Sequence, residues 1–510
     1  MRTCFIALLI LSFSINSFAQ FKVIAESKKI SEPAYGSSIL LMKNGNTVLL
    51  SMGSGGIDIR IYDAKHELLL TSTVLSSISL RAVNLENSFD IDGSIALFVS
   101  GLDENSIPTL TRFLIDAGTG KLKEQKTLVT SDKRGKFNNT SASFWVKKDP
   151  ASDNYAVAAY HILQDDREKR LEIIQYDEHN TEVKRTFLVS PDNDDHKFMV
   201  IMDMLVTDAG RVNVIAYNGK EKYFSGAKKG RLLMATVDKK DPKPVYTVIN
   251  LPEEIQFDFC RMVYLSATKK IYALAGQSRH KDNPVTQYYI KIDPQTGTSD
   301  AVSFTKVPDE LNKKLADQYG FKRGGDYDAP VTNFEVNNDE SFSVVYEESY
   351  AYTATGGGMG FGTTGSTSTF YTGKILVADH SKQGVMTNAY FAPKLFIVDT
   401  YSPYKQFKYI NTGKNSYICF NDTERNNDAK KNKFVEIRGV GELDAFYYKK
   451  SGTESFPGRN YLLGHKEKGH DLLAFGTSYY DKDKNLLITL RLTKDSPSDN
   501  NVNLIWLQPE

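Results

Sequence analysis

The stretch "NSYICFNDTE", residues 415–424, decides the fold. Its apolar run stops abruptly at Asn421 and Asp422. Relatives recur along the whole chain: "NTVLLSMG" ending at Gly53, "SIALFVSG" at Gly101, "NYAVAAYH" at His161 and "RVNVIAYN" at Asn218. They continue with "KIYALAGQ" at Gln277, "ESFSVVYE" at Glu347, "NSYICFN" at Asn421 and "HDLLAFGT" at Thr477. Successive endpoints lie 48, 60, 57, 59, 70, 74 and 56 residues apart, so one unit repeats from end to end.

Each copy follows a turn such as "KNGN", "DIDG", "ASDN" or "TDAG". Gly, Asn and Asp tolerate the positive backbone angles of tight hairpins. Before most turns lies another short strand, as in "AVNLEN", "MDMLVT", "VTNFEV" and "NYLLGH". A third strand often ends in Asp, namely Asp63, Asp116, Asp177, Asp238, Asp293 and Asp379. Six aspartates in register suggest catalysis, but Asp closes turns with its own side chain, and that reading is simpler. A fourth, more polar strand follows several of these, as in "KLKEQKTLV". Four antiparallel strands per unit, repeated eight times, describe an all-β fold, a β-propeller of eight blades. Seven blades are the alternative, if residues 430–470 are counted differently. "FKVIAES", residues 21–27, is a spare strand expected to pair with the last blade. "VPDELNKKLADQYG" predicts one short helix over 308–319, from its Pro308, first-turn acids and closing Gly320.

Hydrophobic content of 41% and charged content of 25% are ordinary for a soluble globular chain. A net charge of +1 gives no basic footprint for nucleic acid. Residues 1–19 read as a secretory leader: Arg2, the apolar "FIALLILSF", then Ser17-Phe18-Ala19 as the cleavage site. The mature chain, 20–510, is then a single propeller domain in the periplasm or outside the cell, and a monomer. The apolar run is too short to span a bilayer, and no other stretch could. Cys260 and Cys419 remain after cleavage, in apolar strands of different units, and read as buried free thiols rather than a bridge.

In propellers of this strand order the eight endpoints gather at one mouth of the channel. The first two are glycines, while the next five are larger and polar. The candidate binding residues are therefore His161, Asn218, Gln277, Glu347, Glu348, Asn421 and Asp422, at the mouth formed by units four to seven. Glu347 and Asn421 lead this set. Long insertions favour the same sector: "NGKEKYFSGAKKGR", "QSRHKDNPVTQ", the glycine-rich "EESYAYTATGGGMGFGTTGSTSTFYTG" and "NDTERNNDAKKNK". The glycine-rich loop is no phosphate loop, since no Gly-Lys-Ser/Thr follows. Its composition suits either a lid over residues 353–369 or a segment without a role.

Chemistry is sparse. Glu347, Glu348, Asp422 and Glu424 are carboxylates of adjacent units, as a glycosidase requires, but sequence cannot supply their separation. No nucleophile elbow or histidine metal motif occurs. "DKDKN", 481–485, starts like a calcium loop but has Leu486 and Leu492 where the glycine and glutamate belong, so a hairpin turn explains it. No catalytic residue, metal or cofactor is assigned.

The stretch "FYTGKILVADHSKQG" followed by "YICFNDTERN" resembles uncharacterised exported proteins of Bacteroidota. These carry a Gly/Ser-rich loop, a Y-x-G-x-I-x-V strand and a strand ending in F-N-D with a later Asn. The matching positions are Tyr371, Gly373, Ile375, Val377, Phe420, Asn421, Asp422 and Asn426. The resemblance covers about a quarter of the mature chain, in units six and seven, and lacks the group's Trp position after Gly384. It implies an exported propeller and no particular activity. The expected function is a binding or scaffolding module for a peptide, glycan or envelope protein. The alternative is a polysaccharide hydrolase or lyase at the same mouth, or a structural subunit.

Overall fold

The computed structural model describes residues 21–33, 36–53, 56–75, 81–131, 143–161, 167–191, 196, 198–219, 230–241, 243–252, 254–277, 286–313, 327, 329–355, 366–398, 402–426, 437, 441, 443–450, 459–464, 469–494 and 501–510. The leader, Cys4, the cleavage site and most of the insertions in units four, five and seven lie outside these residues. The chain is an all-β propeller of eight four-stranded antiparallel blades. Sheets one to seven span 37–74, 81–130, 143–188, 198–248, 259–305, 331–392 and 407–461, each with its strands in sequence order. By contacts the chain forms two compact units, one of Met1–Glu32, Glu348–Leu376 and Tyr390–Glu510, the other of Pro33–Glu347 and Val377–Ala389.

Burial explains the strand pattern. The second strand of sheet two, Ser94–Leu102, is buried at every position but its last. The fourth, Leu122–Thr130, is largely exposed. Inner strands are covered on both faces by neighbouring sheets and so read as continuous apolar runs. Between sheets three and four, Ala158, Ile173, Val214 and Leu233 fill the gap. Between sheets seven and eight, Tyr417, Cys419, Leu473 and Leu487 do the same. The aspartates act as turn closers. Asp63 Oδ1 accepts the Lys65 and Glu67 N–H groups at 2.8 and 2.9 Å, and Asp177 Oδ1 accepts those of His179 and Thr181 at 2.9 and 2.8 Å. Asp116, Asp238 and Asp293 cap likewise. Asp379 instead takes the Ser343 hydroxyl, at 2.6 Å.

One device is invisible in the apolar pattern. Sheets two, four and six shift register in their first strand pair, at Leu85/Asn87, Ile201/Asp203 and Val331/Asn333. Sheets one, three, five and seven pair these strands without a shift. Each shift carries an Asn or Asp whose Oδ1 accepts the next N–H, from Ser88, Met204 and Phe334, at 2.9, 2.9 and 3.0 Å. The other side-chain atom can then fasten the following sheet. Asn87 Nδ2 donates to Val146 O at 3.1 Å, and Asp203 Oδ2 accepts Met262 N–H at 2.7 Å.

Several expectations need adjustment or gain detail. "HDLLAFGT" is not a second strand: His470–Leu473 opens sheet eight, and a 3-10 turn, Phe475–Thr477, separates it from Tyr479–Asp481. "NYLLGH" begins within Arg459–Tyr461, the last strand of sheet seven rather than the first of sheet eight. The apolar run misled because a first strand covered on both faces looks like a second. The vacant fourth place of sheet eight is filled as expected, since Lys22–Glu26 pairs with Asn501–Gln508. Ahead of that strand, Phe21 is buried, edge-on to Tyr417 with centroids 5.2 Å apart. Residues 309–313 are helical, with Asn312 N–H donating to Pro308 O at 3.0 Å; the rest of the expected helix lies outside the described residues. In the glycine-rich insertion, strand continues to Thr355 and resumes at Ser366, giving strands of 14 and 15 residues. Phe396–Val398 pairs with Phe370–Thr372 of this arm. "DKDKN" is a hairpin turn, with Asp481 Oδ1 accepting Lys484 N–H at 2.8 Å.

Candidate functional site

The strand-end residues proposed from sequence are mostly buried and engaged with neighbouring chain. In the unit of residues 33–347, Asn218 is fully buried. Its Nδ2 donates to Ser190 Oγ at 3.1 Å and His196 O at 2.9 Å, and its Oδ1 accepts Arg231 Nε at 3.1 Å. His161 lies 3.0 Å from Glu172 Oε2, and Arg185 donates to the other Glu172 oxygen at 2.6 Å. Burial works against the Glu172 carboxylate, but His161 and Arg185 outweigh it and hold its pKa below the ordinary range. Gln277 is half-buried just beyond its strand, and Glu347 is buried with its N–H donating to Pro330 O at 3.3 Å.

The other unit brings Asn421 and Asp422 together with a polar cluster. Asn421 Nδ2 donates to Tyr404 O at 2.7 Å and Leu473 O at 2.8 Å, and its Oδ1 accepts Leu473 N–H at 3.0 Å. It ties sheet seven to sheet eight by satisfying both backbone groups of one residue. Asp422 Oδ1 accepts Thr423 N–H at 2.8 Å and Asn426 Nδ2 at 2.7 Å, while Oδ2 pairs with Arg459. Burial pushes the Asp422 carboxyl up, and Arg459, Asn426 and Thr423 oppose that shift. The Arg459 guanidinium also lies 3.9 Å from the Phe446 ring centroid, which favours a desolvated cation. Glu348 is matched by Lys374, whose N–H reaches it at 3.2 Å and whose Nζ lies at 3.5 Å.

Beside these stand residues that the repeat alignment passed over. Asp444 Oδ2 lies 3.0 Å from His470 Nδ1, and Asp444 Oδ1 accepts Asp471 N–H at 3.0 Å. Asp471 is clamped by Arg491, through Nε at 3.0 Å and Nη2 at 2.8 Å, while Arg491 Nη1 reaches Glu26 at 2.8 Å. The signal was available. "HD" opens the first strand of sheet eight and "DAFYY" a third strand of sheet seven, and both became visible only once the strand order was right. Among the described residues, no group of three or more His, Cys, Asp or Glu could hold a metal ion. Among the same described residues, no helix is long and apolar enough to cross a membrane.

No protein-family profile matches the chain. No curated protein does either. Solved structures give distant likenesses. The WD40 domain of SCAP from fission yeast has 9% identity over 96% of this chain and 98% of that one, with a TM-score of 0.39. Oligogalacturonate lyase from Vibrio parahaemolyticus has 8% identity over 96% and 94%, at 0.37. Prolyl oligopeptidase B from Galerina marginata has 11% over 92% and 56%, at 0.42. No function transfers from likenesses this remote.

Proposed function

We propose that this protein is an exported binding or scaffolding module of the cell envelope or exterior, whose strand ends and sixth-sheet arm engage a peptide, glycan or envelope protein. One observation supports binding over polysaccharide cleavage. Asp422 and Glu348, carboxylates nominated for a hydrolase, each have a basic side chain of their own. Asp422 also takes two further donors, which denies it the freedom of a nucleophile. The leader reading supports export.

The arm carries the test because it is the largest departure from the repeat. Residues 353–369 are replaced by a two-residue Asn-Gly turn, the sequence that tight hairpins favour. Wild type and variant, matched for unfolding midpoint, are used to recover partners from envelope extract. Loss of a specific partner with the shortened arm is expected. Equal recovery would overturn the arm's role.

A further inference from the structure

Sheet one ends in an outer strand, Leu68–Val74, that differs from the outer strands of the other sheets. An outer strand offers an open row of N–H and C=O groups, and proteins blunt that row with charge, shortness or cover. Leu122–Thr130 carries Lys123, Glu124 and Lys126, and Glu182–Leu188 carries Glu182, Lys184 and Arg185. Ser299–Thr305 carries Asp300, and Lys22–Glu26 has a charge at each end. Val245–Val248 and Arg459–Tyr461 have only 4 and 3 residues, and Met386–Ala392 buries Tyr390, Phe391 and Ala392. Leu68–Val74 is longer than those two, uncharged and largely exposed. Among the described residues its backbone pairs with Gly56–Tyr62 alone.

The sequence of this edge fits a second copy of itself. "LLTSTVL", residues 69–75, reads almost alike from either end, with Ser72 at its centre. Antiparallel strands related by a two-fold axis at Ser72 would set Thr71 opposite Thr73, Leu70 opposite Val74 and Ser72 opposite itself. Leu69 would meet Leu75. These two are 59% and 70% exposed, so pairing covers leucines that a single chain leaves in water. Each residue then faces its own kind, and the ladder holds no charge. The other long edges fail this test. A self-pair centred on Leu122–Thr130 puts Lys126 against Lys126, and one centred on Glu182–Leu188 puts Arg185 against Arg185. The strand is also held ready. Leu70–Val74 runs against Ile57–Ile61 without interruption, the register shift falling at Leu69. Val74 is buried and Leu70 partly buried between sheets one and two, and Ser72 Oγ donates to Gly120 O at 3.0 Å.

We propose that this edge is a self-association surface: two copies of the chain join Leu68–Val74 antiparallel about a two-fold axis at Ser72, fusing their first sheets into one. The proposal goes beyond the binding-module reading and does not rest on it. One strand pair buries less than a standard interface, so the dimer belongs to micromolar concentrations and above, and the monomer expected from the sequence describes dilute solution.

The test is sedimentation of the purified full chain from low micromolar to submillimolar concentration. Its mass should rise from one chain towards two, and amide exchange at Leu70–Val74 should slow in step. Thr71 is exposed, so Thr71→Lys and Thr71→Glu should keep the unfolding midpoint near wild type. Each alone brings like charges together across the axis and should weaken association about tenfold. Mixed in equal amounts, the two variants should associate again as a heterodimer, because the opposite charges lie on a diagonal that long side chains can span. A strand that was merely damaged would not recover on mixing. A single-chain mass at every concentration, a dimer that Thr71→Lys leaves intact, or charged variants that stay apart when mixed would overturn the inference. So would a monomer whose Leu70–Val74 amides slow only with added envelope extract, which would assign the edge to a foreign strand.

Discussion

At the level of single residues, the polar strand ends are the most exposed to mutation. Asn421→Ala would leave Leu473 N–H, Leu473 O and Tyr404 O without their partner in a buried seam. Chemical denaturation should show a loss of about 2–4 kcal/mol, since several buried groups lose their hydrogen bonds together. The Asp422–Arg459 pair is expected to behave as a buried ion pair. Arg459→Met alone should cost about 3–5 kcal/mol, and adding Asp422→Asn should recover much of it, because the stranded charge is then removed. A double-mutant cycle measures that coupling directly. His380 offers a test against pH. Its ring stacks on Phe342 with centroids 4.8 Å apart and packs on Phe304, and neither ring nitrogen meets a hydrogen-bond partner at ordinary geometry. Burial lowers its pKa to about 4, against the partial opposition of Asp379. The folded state therefore prefers the neutral ring. Above pH ~6.5 both states are neutral and nothing is lost. As pH falls from about 6.5 to 4 the unfolded chain takes the proton first, and stability drops by up to ~3 kcal/mol. His380→Phe should flatten this part of the stability–pH curve and leave neutral-pH stability nearly unchanged. An unaltered curve would show that the ring already finds water.

At the level of elements, the repeat was legible because inner strands are buried on both faces. Continuous apolar runs such as those ending at Gly101 and Asn218 can be counted without knowing the pairing. The same property hid the order within sheet eight, where first and second strands look alike. The closing strand was legible as a leftover, and its pairing follows from the need to cover an open edge. The bulge residues Asn87, Asp203 and Asn333 were quoted within their strands yet could not be recognised, because a register shift has no apolar signature. The candidate site was legible only in part. Asp422 stood out at the end of an apolar run, whereas Asp444 and His470 begin strands on different sheets and meet only through tertiary pairing. The closing strand makes its own prediction. Phe21→Ala removes a buried ring held between Tyr417 and Tyr447. It should cost about 3 kcal/mol and raise amide exchange along Asn501–Gln508, whose outer partner is then less firmly held. Slow exchange of those amides in the variant would show that backbone pairing suffices.

At the level of the whole molecule, cysteine chemistry tests the proposed export and the all-β packing together. An exported chain meets an oxidising compartment, where two accessible thiols would tend to pair. Here Cys260 and Cys419 are both free and fully buried. Burial pushes both thiols far above their ordinary range, so the reactive thiolate is scarce even where reagent enters. Sheets covered on both faces thus protect them without a disulfide. The full sequence has 3 cysteines. Removal of the leader with Cys4 leaves 3 − 1 = 2. Native protein recovered from the envelope or culture medium should not react with an aromatic disulfide reagent over minutes. In denaturant it should release two thiols per chain, and its intact mass should begin at Gln20. Three thiols would mean that the leader is retained and export through cleavage is wrong. None, with two recovered only after reduction, would mean that Cys260 and Cys419 are not the free thiols of this structure.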